Sequence, residues 1–400
     1  MTYDVTKIRS HFPSLNTGLA FFCGPGGSQV PLVVGAAIAH AITKPISNRN
    51  TNTESEKNAE EYVVGFRQAV GDLIDVDPRG VVYGRSWTQL TYDFSRTLAK
   101  NWGPGDEVVV SRLDHDSNVR PWIQAAEAVG ATVRWAEIDT KTTEISVAAV
   151  EAVLSSKTKL VAITGAGNTI GTRPDLKAIG VAVHKVGALF YVDGVHLTPH
   201  AAISVKDIGA DFFGFSFYKL MGPHCAALAA SPALLETLSN DKLLPATNIV
   251  PERFEFGTLP YELMAGCIAA VDFISEMAPG NGVTRREKIV NSMNALEKYE
   301  DELLEYLESS VASLPGVVLY GHAKHRTPTI YFSFAGHNSV DIYKAMALKS
   351  VTLPASNFYA LEVSRALGLG DAGALRAGLA PYSTRDDVDR LVAGLKELTA

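Results

Sequence analysis

Two residues of opposite charge bracket the stretch "DGVHLTPHAAISVKDIGADFFGFSFYKLMGPH": Asp193 opens it, and Lys219 stands near its end. The apolar run "ALFYV" leads into Asp193, and "DFFGFS" comes shortly before Lys219. Other polar residues close further apolar runs. Asp114 and His115 follow "VVVSRL", Asn168 follows "LVAITGAG", His196 lies three residues after Asp193, and Ser216 and Tyr218 precede the lysine. A lysine in a partly dry, cationic place keeps enough neutral amine to attack a carbonyl or take a proton. A carboxylate beside a basic ring nitrogen favours its protonated form. Together they suit one electron-withdrawing cofactor held at both ends.

Pyridoxal phosphate has that requirement: a lysine for its aldehyde and a carboxylate for its pyridine nitrogen. Its phosphate needs hydroxyls and a helix N-terminus. "GRSWT" offers Ser86, Thr88 and free main-chain amides. Taken singly, each residue has an ordinary reading. Asp193 serves as a turn or cap residue, Lys219 as a solvated lysine, and Arg376 as a salt-bridge partner. The convergence of all of them on strand ends carries the cofactor reading.

The elements that must position these residues are legible in the pattern. Short apolar runs, "GVVYG", "EVVVSRL", "ATVRWAEI", "KLVAITG", "ALFYVDG" and "DFFGFS", alternate with helical segments. That alternation predicts an α/β fold with a mostly parallel sheet, whose ligands bind beyond the carboxyl ends of the strands. Ser86 is placed to cap a helix with Leu90, Phe94 and Leu98 on one face. After "RFEFGTLPYELMAG" the charge-rich "RREKIVNSMNALEKYEDELLEYLESSVASL" predicts a long helix, followed by a smaller α+β unit. The expected organisation is a large cofactor-binding domain over residues 20–280 and a small domain over 281–400 joined by residues 1–19.

Composition narrows the classes. The 400 residues carry a net charge of −7, which offers no basic patch for nucleic acid. No apolar run reaches the roughly 20 residues of a membrane span, and the first residues lack a signal-peptide pattern. Cys23, Cys225 and Cys267 form no CxxC pair, so neither a disulfide framework nor a metal site is expected, and the cytoplasm is the default setting. "GAGNTIG" and "CGPGGSQ" lack the full GxGxxG spacing of a dinucleotide loop.

These segments resemble the class-V aminotransferase family, and in particular the cysteine desulfurase-like branch of the fold-type I pyridoxal-phosphate enzymes. "VDGVH" is similar to that branch's "VDGAQ", and "FSFYKLMGP" to its "FSGHKLYGP". "LDHDSNVRPW", "GNTIGT", "RFEFGT" and "LRAGLAPYST" fall in the family's order. The resemblance implies roles. Lys219 holds the aldehyde and then shuttles the Cα proton; Asp193 meets the ring nitrogen; His115 stacks on the ring. Asn168 hydrogen-bonds the phenolic oxygen. His196 and Tyr218 stand where the branch has Gln and His. Ser86, the Trp87 amide, Thr88 and Ser216 hold the phosphate. Thr258 reaches the neighbouring subunit's phosphate, implying a homodimer. Arg376 clamps the substrate carboxylate, and Asn357 joins it at the substrate.

One departure bears on the reaction. Where the desulfurases carry a mobile persulfide cysteine, this chain reads "LPASNFYALEV". The expected chemistry is therefore carbon–sulfur cleavage by β-elimination from a cysteine S-conjugate, in specialised metabolism. The alternatives are decarboxylation with oxidative deamination, transamination and epimerisation. "KPISNRNTNTESEKNAEEY" is expected as a polar entrance loop. Two further readings stand: a binding protein that has lost turnover, and a plain α/β protein in which Asp193 and Lys219 form an ion pair.

Overall fold

The structure is a computed structural model that describes residues 3–399; the outermost limits of the expected domains, at residues 1, 2 and 400, lie outside the described residues. Seven strands form the main sheet: β1 Val81–Gly84, β2 Glu107–Ser111, β3 Thr132–Ala136, β4 Thr158–Thr164, β5 Leu189–Asp193, β6 Phe212–Ser216 and β7 Ala226–Ala230. Their spatial order is β1-β7-β6-β5-β4-β2-β3. Neighbours from β6 through β3 are parallel, and β7 runs antiparallel to both β1 and β6. Alternate residues enter two different cores. Leu160, Ala162 and Tyr191 join one, while Val161, Ile163 and Val192 join the other. Strands covered on both faces need apolar residues at every position, which is why these runs read as continuous. β7 was not legible. Its sequence is "AALAA", small residues without the β-branched or aromatic bias of a strand.

Helices cover both faces. α1 spans Leu32–Thr43, α2 Glu54–Ile74, α3 Trp87–Ala99, α4 Arg120–Val129, α5 Leu176–Lys185, α6 Tyr261–Ser275, α7 Arg285–Ala312 and α8 Arg385–Leu398. As expected, the Ser86 side chain caps α3, accepting from the Gln89 amide, and Leu90, Phe94 and Leu98 are buried. The expected entrance loop is a correction. Only its first part is irregular, because Thr53 and Glu56 form a capping box that starts α2 within it.

A second, four-stranded antiparallel sheet contains β8 Val317–Tyr320, β9 Thr329–Phe334, β10 Ala355–Ser356 and β11 Ala374–Gly378 in the order β10-β11-β9-β8. Its apolar face packs with Leu303, Leu307 and Val311 of α7 and Val388, Leu391 and Leu395 of α8. Among the described residues no helix is long and apolar enough to cross a membrane, and no side-chain cluster is suited to a metal ion.

Candidate active site

The carboxyl ends of β4, β5 and β6 lie side by side, with Thr164 opposite Asp193 and Asp193 opposite Gly214. A cavity opens over them. Ser86, Trp87, Thr88, His115, Asn168, Asp193, His196, Ser216, Tyr218 and Lys219 all line it. The ten cofactor-side candidates other than Thr258 therefore converge. A contiguous outer chamber of about 600 Å³ shares Thr88, His115, Asn168, Tyr218 and Lys219 and adds Tyr92, Phe358, Tyr359 and Arg376. Two expected residues are elsewhere. Thr258 lines a separate surface cavity with Arg49 and Glu252. Asn357 lines neither chamber: its amide donates to the Asp371 carbonyl and its Oδ1 accepts from the Tyr359 amide.

Lys219 ends the turn Phe217–Lys219 after β6 and is only 7% exposed. Burial first, and the Arg376 charge second, lower its pKa from 10.5 to about 8, while Asp193 pulls the other way. Asp193 is buried at the end of β5. Its Oδ1 accepts from the Val195 amide at 2.9 Å and its Oδ2 from the Trp87 indole Nε1 at 2.8 Å. Burial raises it from 3.8 to about 6, against those two hydrogen bonds and Lys219. Among the described residues Asp193 makes no ion pair with Lys219, so the simple ion-pair reading fails: the carboxylate oxygens accept from an amide and an indole instead.

His115 caps the turn that begins α4's approach, its Nδ1 accepting from the Ser117 amide at 3.1 Å. Burial, with Lys219 and Arg376 nearby, lowers it to about 3, so the ring is neutral. Tyr359 stacks on it with centroids 5.5 Å apart. His196 Nε2 shares hydrogen bonds with Thr327 at 2.9 Å and Thr329 at 3.2 Å. Its Nδ1 is buried without a partner, as is Asn168 Oδ1. Asn168 Nδ2 donates to the Phe358 carbonyl at 2.9 Å. Arg376, on β11, donates from Nη1 to the Asn168 carbonyl at 2.9 Å, lies 3.7 Å from the Phe358 ring centroid, and keeps a buried, unpartnered Nε. Burial lowers it from 12.5 to about 9.

Sequence reasoning missed four contributors. The Trp87 side chain, rather than its amide alone, enters the site. Phe358 and Tyr359 wall the outer chamber in left-handed backbone, with φ of +52° and +58°. Tyr92 lies one helical turn past Thr88, a spacing that placed both on one side of α3.

The profile of the family described as aminotransferase class-V matches residues 20–391. The chain belongs to the class-V aminotransferase family. It is 31% identical to an uncharacterized protein of Mycobacterium tuberculosis, over all of both chains. An aminotransferase-like protein of Gibberella zeae is 30% identical over 99% of this chain and 98% of its own. A cysteine desulfurase of Dickeya dadantii is 28% identical over 99% and 97%. The crystal structure of a cysteine desulfurase from Escherichia coli covers both chains completely at a TM-score of 0.88 and 23% identity, which shows the shared fold. This class-V protein is a fold-type I, pyridoxal-phosphate-dependent enzyme that acts on an amino acid. The cavity fits that cofactor: it joins a buried amine, a buried carboxylate, a capped helix N-terminus and two unpartnered buried polar atoms, Asn168 Oδ1 and His196 Nδ1.

Proposed function

We propose that the enzyme cleaves the carbon–sulfur bond of a cysteine S-conjugate by β-elimination. The observation that carries the reading is the absence of a thiol from the reaction space. Among the described residues no cysteine lines either chamber. Cys225 and Cys267 are buried against each other with sulfurs 3.2 Å apart. The segment that carries the persulfide cysteine in the resembled branch here presents Ser356, Phe358 and Tyr359. Transfer of sulfur to the protein has no acceptor there, whereas elimination needs none.

When bound, pyridoxal phosphate supplies an electron sink for the substrate's Cα. The chain's own residues do the rest. Lys219 would hold the cofactor's aldehyde and would take the Cα proton, a task suited to an amine lowered to about 8. Asp193 would meet the ring nitrogen, and the neutral His115 would pack on the ring face. His196, protonated on its free Nδ1, would donate to the phenolic oxygen, while Asn168, whose Nδ2 is held by the Phe358 carbonyl, would line the same edge of the ring. Ser86, Thr88, Ser216 and the amide of Trp87 would hold the phosphate. Arg376 offers the unpartnered Nε edge of its guanidinium to the substrate carboxylate. As the Cα proton leaves, the Cβ–S electron pair departs on sulfur, and the thiolate takes up a proton. The released 2-aminoacrylate hydrolyses to pyruvate and ammonia.

The working unit is proposed as a homodimer. Leu32, Val33 and Ile42 of α1 and Leu243, Leu244, Ile249 and Phe256 of the loop before α6 are exposed, Leu244 at 97%, an apolar surface suited to a second copy. Thr258, remote from its own chain's site, belongs to that loop region and would serve the partner's phosphate. Light scattering of the purified protein tests this; a monomer contradicts it. The two-domain division at residue 280 is supported by the two separate sheets, although the main core crosses it through Ile289, Met293, Leu296, Tyr331 and Tyr382; a cytoplasmic setting is supported by the three free cysteines. The function itself is tested by product analysis with an S-alkyl-L-cysteine. Pyruvate with free thiol is expected; alanine formed from L-cysteine contradicts it.

A further inference from the structure

The Trp87 indole is packed for more than burial. It stacks on Tyr191, with centroids 5.3 Å apart and planes inclined by 28°. Tyr191 is in turn fixed edge-on by Trp122 at 4.6 Å. The six-membered ring of Trp87 lies against Gly214, the cross-strand neighbour of Asp193. A Cβ at position 214 would fall 1.9 Å from its Cζ3. A tryptophan therefore fits at position 87 only because position 214 is glycine. This close fit aims one polar atom, Nε1, at Asp193 Oδ2.

We propose that Trp87 is a positioning residue that holds the shared proton on the cofactor's ring nitrogen instead of on Asp193. The inference rests on the reading that Asp193 meets that nitrogen. A carboxylate this deeply buried becomes basic, reaching about 6 even with its two donors in place. Each donated hydrogen bond favours the ionised oxygen and makes the carboxylate a weaker base. The Val195 amide is one such donor and is fixed by the main chain; the indole is the other and is a side-chain choice. The remaining charge around the carboxylate is Lys219, which lowers its basicity; Asp114, raised to about 8 chiefly by burial with Asp193 adding to it, keeps its proton. Tyr218 and Tyr191 nearby are neutral, both pushed upward by burial. Without the indole N–H, the balance moves toward a protonated Asp193 facing a neutral pyridine, which is a poorer electron sink. The same residue opens α3, so one helical turn sets both the phosphate end, through Ser86 and Thr88, and the ring-nitrogen end.

The test loads the enzyme with pyridoxal phosphate labelled with ¹⁵N in the ring and records its nitrogen chemical shift. Wild type is expected at the pyridinium position. Trp87→Phe, which keeps an aromatic ring but removes the donor, is expected to move toward the neutral-pyridine position and to weaken cofactor binding to the empty protein roughly tenfold. Gly214→Ala, which displaces the indole while leaving its N–H intact, gives a second route to the same shift if Trp87→Phe fails to fold. A folded Trp87→Phe protein with the wild-type nitrogen shift overturns the proposal. Asp193→Asn separates the two layers: if it also leaves the nitrogen shift unchanged, the parent reading of Asp193 fails; if it moves the shift while Trp87→Phe does not, only the role of Trp87 fails.

Discussion

Replacing Arg376 by methionine should make the empty enzyme more stable and substrate binding much weaker. The guanidinium is buried with a single hydrogen bond, to the Asn168 carbonyl, and an unpartnered Nε. Burial lowers it from 12.5 to about 9, which at about 1.4 kcal/mol per pH unit corresponds to about 5 kcal/mol of disfavoured charge. Local relaxation leaves a few kcal/mol of that. Methionine keeps the apolar stem against Phe358, removes the charge, and loses about 1 kcal/mol with the Asn168 hydrogen bond. The net expectation is a melting temperature a few degrees higher in the empty protein. A substrate carboxylate pairs with the charge and offsets its burial, so losing that pair should weaken binding by about 2–5 kcal/mol, roughly thirtyfold or more in Kd. Thermal melts without substrate and spectral titration with an S-alkyl-L-cysteine read the two effects separately. A lower melting temperature together with unchanged substrate affinity would refute the reasoning and make Arg376 a strut for Asn168.

Two further outcomes follow from other residues. Lys219→Ala should lose the visible absorbance band of the lysine-bound cofactor while still binding pyridoxal phosphate reversibly; a retained band would contradict the assignment of Lys219. Asp114 is fully buried, hydrogen-bonded to Ser111 and Asn118, and raised from 3.8 to about 8 by burial. An acid raised on folding holds its proton longer in the native state, so wild-type stability declines as pH rises from about 4 to about 8. Asp114→Asn should match wild type near the lower limit and exceed it by the upper one; melting curves that stay parallel across this window would contradict the assignment.

Much of the site was legible because parallel strands are buried on both faces and end abruptly in polar residues. His115, Asn168, Asp193 and Lys219 each terminate an apolar run, and the topology carries all four to one edge of the sheet. β7 escaped notice because alanines carry little strand signal, and α2 begins earlier than expected because its cap lies inside a polar stretch. The turn after β10 was the least legible part. Phe358 and Tyr359 adopt left-handed backbone, held by the Asn168 side chain and the Asp116 amide from the large sheet's side. That conformation turns Phe358 and Tyr359 toward the chamber and ties Asn357 to Asp371. Such an arrangement depends on contacts from 190 residues away in sequence, which no local pattern records. The side-chain role of Trp87, at the start of α3, likewise depends on a glycine of β6 far away in sequence.

The most direct test of the proposed reaction is anaerobic turnover of an S-alkyl-L-cysteine with no keto-acid acceptor present. β-Elimination predicts thiol, pyruvate and ammonia in equal amounts under these conditions. Thiol and pyruvate absent here, with turnover restored only by oxygen or an acceptor, would contradict elimination and assign the enzyme to oxidative deamination or transamination.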